Sequence, residues 1–451
     1  MPVRPEDADL FAPERAFLVG VDWGRRAPLT PEESLEELEA LVVSAGAKIV
    51  GGVIQKRTRP EASLLIGSGK TREVAAEVKE TQANLVVFDE ALSPAQQRNL
   101  EQEIDVRVID RAAVILDIFA RRAQTNEGRL QVKLAQLEYQ LPRLRGWGGE
   151  LSRLAGGIGT RGPGETKLEI DRRRVVKAIA TLKRQLKDVA RRRDLQRRGR
   201  SGVPLVVLTG YTNSGKTTLL NRIAGAEAYA ADQPFATLDP FIKRVRLPSG
   251  RHVLFADTVG FISKLPADLI AAFRATFEEL GRADVVVVVS DVTATNLEGR
   301  AAVVEELLTT LGARDKPRID VFNKVDLRPS FSLDRYKELG FSRPLAISAA
   351  TGEGCEALLA AVDDILAASS VRLTVELPAG PLLAEVYERG RVLSREDNGD
   401  RVIIWVEVPA DLARVLNEYV RPARTRGELS LIHISEPTRL LSISYAVFCL
   451  K

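Results

Sequence analysis

Residues 203–219 read VPLVVLTGYTNSGKTTL. The apolar run at 203–208 has the character of a buried strand, and an apolar-periodic helix follows the loop. Between them Gly210, Gly215, Lys216 and Thr217 stand at the spacing G-x-x-x-x-G-K-[ST] of a phosphate-binding loop. The order of residue types has a physical reason. The glycines let main-chain N–H groups turn inward around a β-phosphate, and the helix start adds positive potential. Lys216 is placed to bridge β- and γ-phosphates, and the Thr217 hydroxyl to ligate Mg²⁺. Asn213, Ser214 and Thr218 complete the candidate phosphate contacts.

Four downstream segments decide which nucleotide this is. The strand RHVLFAD (251–257) ends in Asp257-Thr258-Val259-Gly260. Asp257 is positioned to hold Mg²⁺ through water, and the Gly260 N–H to sense a γ-phosphate. Between the two motifs, DQPFATLDP (232–240) offers Thr237 as a second hydroxyl ligand, ordered when the terminal phosphate is present. Lys216, Thr237 and Gly260 are therefore the candidate catalytic set, and Thr217, Thr237 and Asp257 the candidate metal set. VVVVVSD (285–291) reads as a buried parallel strand. After PRIDVF comes Asn323-Lys324-Val325-Asp326. A carboxylate at Asp326 accepts from guanine N1 and the exocyclic N2 amine. Adenine offers neither donor and would leave the charge unpaired. Asn323 is expected to brace the loops, the Lys324 stem to lie over the purine, and the backbone of Ser348-Ala349 to meet guanine O6. The ordered set predicts a GTPase. Phe261 stands where small GTPases often carry a water-orienting glutamine, so intrinsic hydrolysis is expected to be slow unless a partner or another group orders the water.

The rest of the chain sets this domain in context. At 451 residues, 45% apolar and 28% charged, it has room for several ordinary globular domains. No apolar run is long enough to span a membrane, and no signal-like start is present, so a cytoplasmic protein without stable membrane insertion is expected. Two cysteines and two histidines exclude a disulfide framework and a Cys/His metal cluster. The expected architecture is α/β. A P-loop GTPase domain (201–368), mostly parallel sheet with helices on both faces, follows a small α/β domain (1–120) and a long basic helical hairpin (121–200). A small α+β domain (369–428) comes after it. In the first domain, strands are expected at 17–23, 47–55, 84–89 and 106–111. Helices should start at Thr30-Pro31 and Ser93-Pro94, with another over 70–82. IGSGK (66–70) lacks the first glycine of a second phosphate loop and reads as a tight turn, with a ligand contact as the alternative.

Charge is concentrated in the hairpin. Residues 171–200 carry thirteen Lys or Arg against three Asp. Val175, Ala178, Ile179, Leu182, Leu186 and Val189 recur at helical steps, predicting an amphipathic helix with a basic outer face. A second helix is expected over Arg121–Tyr139. The linker 146–164 holds eight glycines and, with Arg145, Arg153 and Arg161, suits shape and phosphate recognition of structured RNA. The alternative is a face that only solubilises.

Taken together, the chain resembles the HflX family of translation-associated GTPases, bacterial members in particular, from about Phe17 to Val420. The resemblance rests on Val87-Phe88-Asp89, Leu92-Ser93-Pro94-x-Gln96-x-Arg98-Asn99-Leu100-Glu101, Leu116-Asp117-Ile118-Phe119 and Gln131-Val132-x-Leu134-Ala135-Gln136-Leu137. The loop Gly156–Glu165, the phosphate loop and Asp257–Phe261 complete it. It implies binding to the large ribosomal subunit and its rRNA as a monomer, with no DNA partner, ribosome-stimulated hydrolysis of GTP to GDP, and splitting of stalled or idle ribosomes in stress. It also implies K⁺ as a monovalent cation beside Asn213. A GTP-regulated RNA-binding or assembly factor without splitting activity, and a signalling GTPase with a protein partner, are the competing readings. Residues 429–451 resemble a translated sequencing adapter and are expected to carry no function, so His433 and Cys449 receive no chemical role. His252 and Cys355 are expected to be structural.

Overall fold

The computed structural model describes residues 13–25, 27–144, 163–198, 203–225, 234–235, 241–266, 269, 273–368 and 370–420. Thr237, most of the Gly/Arg loop at 146–164 and the tail 429–451 lie outside them.

The first unit alternates strand and helix: β1 (Arg15–Asp22), α1 (Pro31–Ser44), β2 (Lys48–Lys56), α2 (Ser68–Glu80), β3 (Leu85–Phe88), α3 (Pro94–Ile104) and β4 (Arg107–Asp110). The strands form one parallel sheet in the order β2-β1-β3-β4. Both expected helix starts have their local cause. Thr30 and Ser93 each accept from the N–H three residues on, while Glu33 and Gln96 reach back to the cap N–H, a reciprocal pair that satisfies two orphan donors. Proline at the first helical position needs no donor there.

The helical region differs from the expected single helix over Arg121–Tyr139. Arg121 and Arg122 close α4 (Arg111–Arg122), and a separate α5 runs Asn126–Arg143. Thr125 makes the break, its side chain accepting from Gly128 N at 2.9 Å. α5 pairs with α6 (Pro163–Arg198), with Leu134, Ile179 and Leu182 buried between them. The outer face of α6 is basic as expected: Arg173, Arg174, Lys177, Arg184, Lys187, Arg191 and Arg192 are exposed.

The central sheet has six strands in the order β10-β9-β8-β5-β7-β6. They are β5 (Leu205–Gly210), β6 (Phe241–Arg246), β7 (His252–Asp257), β8 (Val285–Asp291), β9 (Arg318–Asn323) and β10 (Leu345–Ala346). All pairs are parallel except β6 with β7. Its helices include α7 (Lys216–Ala224), α8 (Arg274–Arg282), α9 (Leu297–Thr310), a short α10 (Asp334–Glu338) and α11 (Cys355–Ala368). The consecutive valines of β8 are buried, as a strand covered on both faces requires. One apolar core continues from the first unit into this domain. Phe119 of α4 makes edge-on contacts with Phe235 and Phe273, ring centroids 4.8 and 4.7 Å away. The last unit is an antiparallel sheet β11-β13-β12 (Ser370–Pro378, Arg401–Pro409, Arg391–Asn398) with α12 (Pro381–Arg389) and α13 (Ala410–Leu416). Among the described residues no helix is long and apolar enough to cross a membrane.

Candidate functional site

The site assembles at the carboxyl ends of β5, β7 and β9, where open α/β sheets bind ligands. β5 delivers Gly210, the loop turns through Asn213 in a left-handed conformation, and α7 begins at Lys216. Gly215 has φ +90°, and a Cβ there would fall 2.2 Å from Asn323 Nδ2. Only glycine fits. Lys216 is buried, and its ammonium donates to the carbonyls of Tyr211 (2.8 Å) and Gly210 (3.3 Å). Burial lowers its pKa to about 8, with Asp257 pulling the other way.

Thr217 and Asp257 meet: the hydroxyl donates to Asp257 Oδ2 at 2.6 Å, and Asp257 is fully buried. A hydroxyl and a carboxylate side by side are hard oxygen donors of the kind Mg²⁺ takes one or two of, leaving its other positions to water and phosphate. Among the described residues no cluster of three His, Cys, Asp or Glu offers a fuller protein cage. Gly260 lies over the phosphate loop, where an added Cβ would be 2.8 Å from Thr212 Cα and 3.1 Å from Lys216 Nζ. Phe261 points the other way. It is fully buried, 5.9 Å from the Phe277 ring, while its main chain pairs with the phosphate loop: Thr212 N donates to Phe261 O (2.7 Å) and Phe261 N to Gly210 O (2.9 Å). The side chain that replaces the usual glutamine is a core residue in this state.

Asn323 ties three motifs. Its Nδ2 donates to Ser214 O (2.8 Å) and its Oδ1 accepts from Ala349 N (2.9 Å). Lys324 takes a left-handed conformation with its ammonium on Asp291 at 2.7 Å, and the exposed Asp326 follows on the same turn. Ser348 N donates to Glu353 O at 2.9 Å. Both amides assigned to guanine O6 are thus engaged here, so a base contact by Ala349 shares or displaces Asn323.

Other sequence candidates resolve simply. IGSGK is a tight turn capping α2: Gly67 has φ +88°, Ile66 O accepts from Arg57 (2.8 Å), and Lys70 pairs with Glu73 (2.7 Å). Cys355 is buried at the start of α11, and burial pushes its thiol pKa up, which makes it a packing residue. His252 sits on β7, its pKa lowered by partial burial and by Arg244 and Arg246.

The sequence reading missed a polar junction between the first unit and the loops after β5 and β7. Glu37 of α1 accepts from Arg111, from the Ser263 hydroxyl (2.7 Å) and amide (3.2 Å), and from the Tyr211 phenol. Arg111, itself buried, also pairs with Asp89, and Lys264 binds Asp89 and Glu90. The available signal was slight: Glu37 falls among the buried positions Ser34, Leu38 and Leu41 of α1, where a lone charge needs a partner.

Four family models together span most of the chain. They are described as GTP-binding GTPase N-terminal (32–120), GTP-binding GTPase Middle Region (122–200), 50S ribosome-binding GTPase (205–324) and HflX C-terminal domain (337–418). The GTPase HflX of Caldanaerobacter subterraneus subsp. tengcongensis is 42% identical over 414 residues, 90% of this chain and 94% of that protein. The chain belongs to the HflX family. GTPase HflX of Escherichia coli is 43% identical over 384 residues, 84% of this chain and 89% of its own length. That of Lacrimispora saccharolytica is 44% identical over 404 residues, 88% and 94%. Membership makes the chain a P-loop GTP hydrolase with the HflX arrangement of a GTPase domain between smaller units, and nucleotide binding in general follows from that domain.

Proposed function

We propose that this HflX-family GTPase binds the large ribosomal subunit through its rRNA in the GTP-bound form, hydrolyses GTP there, and splits or rescues stalled or idle ribosomes. The observation that carries the reading is the basic outer face of α6, a row of seven exposed cations backed by an apolar seam, beside a GTPase domain whose family model is described as ribosome-binding. Such a face neutralises phosphates without reading sequence.

In the nucleotide site, Gly210, Asn213, Ser214, Gly215, Lys216, Thr217 and Thr218 hold the phosphates, and Asn323, Lys324, Asp326, Ser348 and Ala349 the guanine. Gly260 donates to the γ-phosphate. Thr217 and Asp257, joined by Thr237, would hold Mg²⁺, which would supply charge neutralisation to the phosphates. Asn213 is the candidate neighbour of K⁺. Lys216 brings a buried ammonium to the phosphates, and a phosphate placed beside it favours its charged form. A cytoplasmic monomer fits this role. The test is co-sedimentation with purified large subunits in rising salt, with a non-hydrolysable GTP analogue, GDP or no nucleotide. Retention with the analogue that salt weakens supports the proposal. Equal retention in all three nucleotide states, or none, rejects it.

A further inference from the structure

Glu37 is remote from every nucleotide-binding motif in sequence, yet it bonds to residues flanking the place where a terminal phosphate enters. Tyr211 is the second residue of the phosphate loop, and Ser263 follows Gly260 by three positions. The Glu37 carboxylate accepts from the Tyr211 phenol and from both the amide and the hydroxyl of Ser263, and Ser263 N also donates to Tyr211 Oη at 2.9 Å. Glu37, Tyr211 and Ser263 are all buried or nearly so. Burial and the Glu37 charge push the Tyr211 pKa up, so the phenol keeps its proton and remains the donor. These bonds lock the end of the short main-chain pairing between Gly210, Thr212 and Phe261. That pairing sets where Gly260 lies over Lys216 Nζ.

We infer that Glu37 is a positioning residue for the γ-phosphate, acting through Tyr211 and Ser263 to hold Gly260 over the lysine before GTP arrives. GDP has no group at that point and gains nothing from where Gly260 lies. A triphosphate binds a site whose ordering has been met in advance. Glu37 thereby contributes to the preference for GTP over GDP, although it touches neither. Arg111 holds the carboxylate from behind, and Asp89 shares the arginine, so the charge stays paired in a buried place.

The test uses the full chain and needs no ribosome, so its outcome is independent of the large-subunit proposal. Affinities for GDP and for a non-hydrolysable GTP analogue are measured by displacement of a fluorescent GDP. The proteins are the unaltered chain, Tyr211→Phe, Glu37→Gln and the double variant. Tyr211→Phe removes one hydroxyl and keeps the buried ring, while Glu37→Gln keeps the size and an acceptor for Ser263. Each single variant is expected to lower the ratio of analogue to GDP affinity about tenfold, with GDP affinity within about twofold of the unaltered chain. The double variant should lose less than the sum of the two single losses, because both changes remove the bond from Tyr211 to Glu37. Parallel weakening of both nucleotides would mark the junction as merely structural and overturn the inference. So would an unchanged ratio, or a rise, which would make the junction a restraint against loading.

Discussion

Replacing Asn323 by alanine removes one side chain from the point where phosphate loop, base loop and the 345–354 segment meet. Two hydrogen bonds go with it, to Ser214 O at 2.8 Å and from Ala349 N at 2.9 Å. Ser214 and Ala349 are 0% and 2% exposed, so water does not readily replace the lost partner. Each buried group left unpaired costs about 1–3 kcal/mol, and relaxation of a small cavity recovers part of that. The sum is roughly 2–4 kcal/mol, shared between a looser nucleotide-free fold and weaker GDP binding. The assay is urea unfolding with and without saturating GDP, together with GDP titration. The reasoning predicts that lost unfolding free energy and lost binding free energy together reach that range. A combined loss under about 0.5 kcal/mol would show that Asn323 braces nothing and refute it.

Three further outcomes follow. GDP affinity, measured in EDTA, should fall as pH rises through about 8, because burial holds the free-state Lys216 pKa there and a bound phosphate favours the charged lysine; a flat profile from pH 7 to 9 would contradict this. Asp326→Asn should shift preference from guanine toward xanthine nucleotides by about tenfold or more, since an amide no longer accepts from N1 and N2 together, and competition binding with both bases reads it. Arg173→Glu, Arg184→Glu and Arg191→Glu combined should weaken large-subunit binding at least tenfold and flatten its salt dependence, while leaving GDP affinity unchanged.

What the sequence disclosed and what it hid divide along physical lines. The phosphate loop was legible because its glycines answer a local demand: Gly215 has φ +90°, a backbone conformation that side-chain-bearing residues rarely take. The helix starts at Thr30 and Ser93 were legible for the same reason, since a capping box is satisfied within four residues. The break at Ala123–Thr125 went unseen because apolar periodicity continues across it and only the Thr125 cap marks the new helix. The junction of Glu37, Arg111, Tyr211 and Ser263 was hidden more deeply. Its partners are separated by up to 226 positions, and the one local hint, a glutamate among the buried positions of α1, does not say which residues it meets. Phe261 was half legible: the residue type ruled out orienting water, but only the fold shows the ring turned into the core against Phe277.

Most direct is a measurement of GTP turnover by the purified chain with and without purified large ribosomal subunits. With Phe261 buried, the chain alone should turn over slowly, and the subunits should raise the rate at least tenfold. Rates that agree within error would contradict the claim that this site is built to be completed by the ribosome.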